Sequence, residues 1–390
     1  MKREPGATEI GRETRTPRMT TIIIMATMLA FWLFAVATRA PVKVAVINKS
    51  GIRVLDLDYT ASSYFAEGLA PVERNGKWGF VDKRGLVIVP PTFSEAGSFH
   101  DGLSRVVHHG KVGYIDHKGE FAVNPQFDSG ADFSEGLAAV STGGKFGYID
   151  VGGKMAIPPQ FEAADRFQDG LAAIDLSESG AGKWGYVDRT GNMAIPARFA
   201  HAGRFSDGRA AVKVRAAEAD LWGFIDRNGN FIIPPRYLDA SEFSDGLAFV
   251  RMTRGSGSRV STASLPASSE AAWGVIDAKG GLIVEPQFQR ASRFSQGLAA
   301  ACAGNKWGFI YKTGKWAILP QFDEARDFCE GLALVAIKDG TGKLSYGYID
   351  TLGRVVVKPR RGIVGASHFS EGLASLAVVR AWYERLSPLS

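Results

Sequence analysis

The chain has 390 residues, 45% of them apolar, with 46 glycines, 17 prolines and a formal charge of +6. Glycine at this frequency, without a matching excess of proline, points to many tight turns and argues against long helices, since each interior glycine weakens a helix by about 1 kcal/mol. Half of the charge lies in residues 1–40 (Lys2, Arg3, Arg12, Arg15, Arg18 and Arg39 against Glu4, Glu9 and Glu13), and the mixed charge of the remainder excludes the basic stripe of a nucleic-acid binder.

Residues 1–18 form a basic lead. Residues 19–38, MTTIIIMATMLAFWLFAVAT, carry no charge, and Arg18 and Arg39 bound them. Twenty helical residues span about 30 Å, the thickness of a bilayer's hydrocarbon core. The segment therefore predicts one N-terminal hydrophobic helix, either an uncleaved signal anchor or a signal peptide with Ala35-Val36-Ala37 as its cleavage site. The basic lead predicts a cytoplasmic N-terminus, with the rest of the chain exported. That places it on the periplasmic face, held by the helix, or secreted if cleavage occurs near Ala37.

Residues 41–380 repeat. Units with Trp-Gly, an aromatic or Val, Ile or Val, then Asp open at Trp78-Gly79, Trp184-Gly185, Trp222-Gly223 and Trp273-Gly274, and Trp307-Gly308 ends on Tyr311 in place of Asp. Val112, Phe146 and Tyr346 stand where the Trp is missing, and Val44-Ala45-Val46-Ile47-Asn48 is a worn first copy, making nine. A Gly follows the Asp by three residues, as in Asp82 to Gly85 and Asp188 to Gly191. This is turn chemistry: Asp opens the turn and Gly takes the positive φ at its end. A short apolar run follows and stops at proline, which cannot donate to a ladder. The two strands read as a hairpin. A segment with two aromatics, such as Phe161 and Phe167, reads as an irregular connection that plugs the core. An Asp-Gly or Glu-Gly pair then turns the chain into a third strand. Period-2 geometry puts the Trp and the next aromatic on one face and the WG glycine on the other, so the Trp rows are expected to stack from copy to copy, each Gly making room for a neighbour.

Spacing refines the unit. The WG aromatic precedes the following Phe by 21 residues in seven units, as from Trp78 to Phe99, and by 23 from Tyr346 to Phe369. From that Phe to the next WG aromatic the distance ranges from 13 residues, Phe65 to Trp78, to 30, Phe243 to Trp273. Insertions therefore enter one loop per unit, and those loops share one edge. The largest, the Ser-rich stretch 252–270, reads as a flexible loop.

The repeated motif resembles the WG-containing, or KWG, repeat family over residues 43 to about 380. The resemblance implies a β-repeat fold and little about activity. The expected fold is all-β: tandem antiparallel three-stranded repeats of about 34 residues, in a solenoid-like superhelical array. A closed propeller-like ring is the alternative. The open array is preferred because three strands are few for a blade and nine blades are many. The worn first copy and the tail, residues 381–390, read as caps.

Little in the sequence carries chemistry. An Asp present in nearly every unit is a turn former, because catalysis needs a constellation found once. His100, His108, His109 and His117 fall in one unit without metal-ligand spacing, and adjacent strand positions would point His108 and His109 to opposite faces. No CxxC, GxSxG, HExxH or P-loop is present, so no catalytic, cofactor or metal residue is assigned. Cys302 and Cys329 could pair in an oxidising compartment. The expected function is a non-enzymatic binding or scaffold protein of a bacterial-type cell envelope, contacting a protein or glycan through its repeat surface, with the membrane as a second partner if residues 19–38 are retained. A divergent envelope enzyme with a site in one repeat or insertion is the alternative.

Overall fold

The computed structural model describes residues 42–178, 182–216, 219–253 and 271–383. The predicted N-terminal helix, most of the Ser-rich stretch and most of the tail lie outside them. Among the described residues no helix is long and apolar enough to cross a membrane.

Each repeat supplies part of two sheets. The first sheet in the chain takes Ala61–Ser62, Leu69–Arg74, Lys77–Asp82 and Val87–Phe93, in that order and all antiparallel. Eight such sheets follow one another along the chain. The ninth is built from both chain ends: Ile363–Ala366 and Leu373–Val379 pair with Val42–Asn48, which pairs with Arg53–Leu57. Third strands pack against the first strand of the next sheet, and the ninth sheet packs against both the eighth and the first. The fold is thus nine small sheets in a closed ring, a β-propeller, and its sheets are called blades one to nine below.

This corrects the open array and its three-stranded unit. The segment read as an irregular connection donates a first strand, only two residues long in blade one. The worn first copy is no cap. Its strands Val42–Asn48 and Arg53–Leu57 are the third and fourth strands that blade nine otherwise lacks. Seven consecutive residue pairs join the first of these to Leu373–Val379, from Val42 beside Val379 to Asn48 beside Leu373. Closure joins the two ends of the polypeptide, so no sheet is left with an unpaired inner partner.

The WG glycine has a different neighbour from the one expected. The fourth strand of the same blade bulges at its prolines and crosses directly over the glycine. A Cβ on Gly223 would lie 2.6 Å from the Ile233 carbonyl oxygen and 2.7 Å from the Pro235 nitrogen, and the other WG glycines are covered in the same way. The copy-to-copy Trp stack does not form. The next blade's first strand comes between successive third strands, and His201 stands between Trp184, at 5.0 Å, and Trp222, at 5.4 Å. Trp78 and Trp184 are buried, whereas Trp222, Trp273 and Trp307 are half-buried. The aromatic after the glycine is the better core residue: Phe80, Tyr148, Tyr186, Phe224 and Phe309 are all fully buried.

Candidate functional site

Strand direction sorts the connections onto two faces. Second-to-third hairpins and fourth-to-first links share a loop face. First-to-second and third-to-fourth turns share a turn face. On the turn face the third-to-fourth turn works as the sequence suggests. The Asp82 Oδ1 accepts from the Arg84 and Leu86 amides at 2.9 Å, and Asp188 and Asp226 hold their turns in the same way. Gly85, Gly191 and their counterparts take positive φ.

The first-to-second turns do more than turn. In all nine, an acidic residue or glutamine and the following glycine both have positive φ, the geometry of a tight two-residue hairpin turn. Each side chain also accepts a hydrogen bond from the glycine amide of the next blade. The Gly102 amide donates to Glu67 at 3.1 Å, Gly136 to Asp101 at 2.7 Å, Gly170 to Glu135 at 3.0 Å and Gly331 to Gln296 at 2.9 Å. The series runs through Asp169, Asp207 and Asp245 and closes with Gly372 on Glu330 and Gly68 on Glu371. First strands are thus stitched together at every junction, which places them at the axis of the ring and the half-exposed fourth strands at its rim. Buried tyrosines add to this. The hydroxyls of Tyr148 and Tyr186 donate at 2.6 and 2.7 Å to Asp165 and Gly203 carbonyls in the following blade. Burial, then nearby carboxylates, pushes both hydroxyls well above the usual phenol range.

Beside these turns lies a row that sequence reading missed, the residue before each buried first-strand Phe. From blade one to blade nine it reads Tyr64, Ser98, Asp132, Arg166, Arg204, Glu242, Arg293, Asp327 and His368. Neighbours in the row touch. Tyr64 and His368 rings are 4.2 Å apart, Arg204 reaches Glu242 at 4.0 Å, and Arg293 reaches Asp327 at 3.1 Å. Arg204 also pairs with Asp165 at 2.9 Å. Arg166 is exposed and makes no ion pair among the described residues. Burial raises the Asp132 carboxyl against the opposing pull of Arg105, His100 and Arg166. The Oδ1 atoms of Asp132 and Asp327 are buried without a hydrogen bond. The row therefore presents a polar mosaic of mixed charge around one mouth of an otherwise repetitive ring. In the sequence this position varies at a fixed place in the constant-length 21-residue stretch, but several other positions of the stretch vary too, so nothing local singled it out.

The loop face carries the insertions, as the spacing indicates. A shallow cleft of about 770 Å³ there is lined by Lys183, Arg198 and Arg215 with Glu178. The histidines do not converge. His117 stacks on Phe99 at 4.4 Å and meets Glu67 at 3.1 Å, whereas His108 ends a strand and His109 opens the hairpin turn with positive φ, which brings their rings to 4.0 Å rather than to opposite faces of a strand. Among the described residues no cluster of three His, Cys, Asp or Glu could hold a metal ion. Cys302 is buried, Cys329 is half-buried, and both are free thiols.

Fold and repeat together define the class: a nine-bladed propeller whose repeats straddle blade boundaries. The family model "WG containing repeat" matches nine times, at residues 46–78, 78–111, 113–146, 146–176, 184–215, 222–253, 273–307, 307–340 and 346–380. The chain belongs to that family. No curated protein matches it in sequence. Among solved structures it is similar to Hsv2 from Kluyveromyces lactis with loop 6CD replaced by a Gly-Ser linker, at 10% identity and TM-score 0.38 over 75% of this chain and 99% of that one. It is also similar to dipeptidyl peptidase 4 from Porphyromonas gingivalis, at 9% identity and TM-score 0.48 over 76% of this chain and 59% of that one. Likenesses this distant have no bearing on activity.

Proposed function

We propose that this chain is a non-enzymatic binding or scaffold protein of a cell envelope, held by residues 19–38 or released by cleavage near Ala37. Its partner, a protein or glycan, is taken at the turn-face mouth. The observation that carries this reading is the mosaic row. The row differs in charge, size and aromaticity around the ring, while the Phe that follows it is buried in all nine blades and the turn beyond is tied by the blade-to-blade hydrogen bonds. Rigid presentation keeps the ordering entropy of binding small. The exposed Arg166 supplies a guanidinium for a carboxylate or sulfate, and the Tyr64–His368 pair supplies aromatic faces for a sugar or an apolar side chain.

The test is capture from envelope extracts on the purified full chain, compared with a Tyr64→Ala, Arg166→Glu double variant that melts at the parental temperature. A partner retained by the parent and lost by the variant supports the reading. Equal capture by both, or no specific capture by either, overturns it.

A further inference from the structure

In six blades the residue that follows the Asp position of the third-to-fourth turn reaches back to the first-to-second turn of the preceding blade. In four of them its head meets a carboxylate there. Lys83 lies 3.0 Å from Glu371, His117 3.1 Å from Glu67, Lys312 3.8 Å from Asp245 and Lys49 3.9 Å from Glu330. Arg189 and Arg227 make the same reach and end differently. A Cβ on Gly136 would lie 3.3 Å from the Arg189 Nη2, and a Cβ on Gly170 would lie 3.3 Å from the Arg227 Nη2. Both arginines are exposed, and neither forms an ion pair among the described residues. Arg166, also exposed and without an ion pair, stands in the mosaic row three residues before Asp169. Three guanidinium groups with free donors therefore share one arc of the mouth, across blades three to five.

Carboxylates are present in this arc, and each has other work. Glu135 accepts the Gly170 amide at 3.0 Å, and Asp169 accepts the Gly208 amide at 3.3 Å. Asp188 and Asp226 hold their own turns, and Asp165 pairs with Arg204. Asp132, which Arg166 influences by charge, is turned inward over Gly97 of blade two. The arc is thus balanced in charge but rich in unused donors: each guanidinium offers five, in a planar fork that matches a carboxylate or a sulfate. The exposed apolar side chains of blades four and five, Leu176, Met193, Phe231 and Ile232, lie on the loop face or on the rim strands. A ligand over these turns meets guanidinium groups and open backbone turns, with no apolar pocket for a peptide side chain.

We infer that Arg166, Arg189 and Arg227 bind a polyanionic glycan, one that carries carboxylates or sulfates along its chain. This rests on the turn-face mouth being the binding surface, and it selects the glycan from the two partner classes of that reading. Several forks on a rigid ring suit a ligand whose anions repeat, because the first contact brings the next anion within reach of a neighbouring arginine.

The experiment titrates the purified full chain, by calorimetry, with heparin, polygalacturonate, neutral dextran, poly-glutamate and single-stranded DNA. The chain should bind heparin or polygalacturonate, whichever carries the matching anion, in preference to the other three. An Arg189→Gln, Arg227→Gln variant should bind about tenfold more weakly or worse, the effect of losing charge-assisted contacts. A Lys77→Gln, Lys183→Gln variant removes the same charge from the loop face and should bind as the parent does, with all three proteins melting alike. Equal weakening by both pairs means that net charge alone is read, and overturns the site. Tighter binding of poly-glutamate or DNA overturns the glycan class. Binding to no polyanion, while envelope capture still depends on Tyr64 and Arg166, overturns the glycan and leaves the mouth reading standing. Failure of that capture as well removes both.

Discussion

The Glu371 carboxylate in the last blade accepts the Gly68 amide of the first, 3.1 Å from Oε2. Glu371 and Gly68 are 303 residues apart, yet their contact has the geometry of the other eight blade junctions. Lys83 adds an ion pair to Glu371 at 3.0 Å. Replacing Glu371 with Ala should destabilise the chain by about 1–2 kcal/mol, the worth of a charge-assisted hydrogen bond with partial solvent screening. Denaturant unfolding measures this, and Glu371→Gln should recover part of the loss, as Gln296 already serves at its own junction. An unchanged midpoint for Glu371→Ala would show that strand pairing alone closes the ring.

The WG glycine is required by a crossing backbone. Gly223→Ala forces a Cβ to within 2.6 Å of the Ile233 carbonyl, where neither strand can move without breaking its ladder. We expect a cost of about 2–3 kcal/mol. Gly340→Ala has nothing within 4 Å and should be neutral. Similar melting for the two variants would refute the steric account.

The first strand in the chain is structural. Ile47 is fully buried in the ninth blade's core, with Tyr348, Ile363 and Leu376. Ile47→Ala should cost about 2–5 kcal/mol, as for any large core truncation. A cap at the end of an open array would tolerate the change. The readout is the unfolding midpoint, together with protease sensitivity near both chain ends.

Acid should loosen the turns that carboxylates hold. Burial raises the Glu371 carboxyl, but Lys83 and the Gly68 amide outweigh it and hold it below the ordinary range. The Asn230 amide, against burial and with help from Asn228, holds Asp226 down likewise. Folded values below unfolded ones mean that these groups stabilise the native state in full above the ordinary carboxylate range, near 4. Their contribution is lost as pH falls through the native values. Unfolding midpoints should therefore fall from about pH 5 downward. The fall should be shallower in Asp226→Asn, and an identical slope would remove Asp226 from the account.

The thiols should react unequally. Cys302 is fully buried, and burial followed by Asp327 raises the Cys329 thiol. Native protein should leave Cys302 unlabelled by a thiol reagent and label Cys329 slowly, faster at alkaline pH. Unfolded protein should label both. Rapid native labelling of Cys302 would mean that blade seven opens.

Much of this protein is written locally. The Asp–Gly turns, the proline-stopped strands and the constant 21-residue stretch from Trp78 to Phe99 each follow from nearest-neighbour chemistry, so the all-β repeat and its single variable loop can be read directly from the residues. The short first strands could not, because two residues such as Ala61–Ser62 have no periodicity of their own and become a strand only against Leu69–Arg74. Closure could not either. It depends on whether the small rotation between neighbouring blades, summed over the whole array, brings Val42–Asn48 beside Leu373–Val379, and no local pattern encodes that sum. The mosaic from Tyr64 to His368 becomes a single surface for the same reason: residues spread across the chain share one mouth only after the ring has closed.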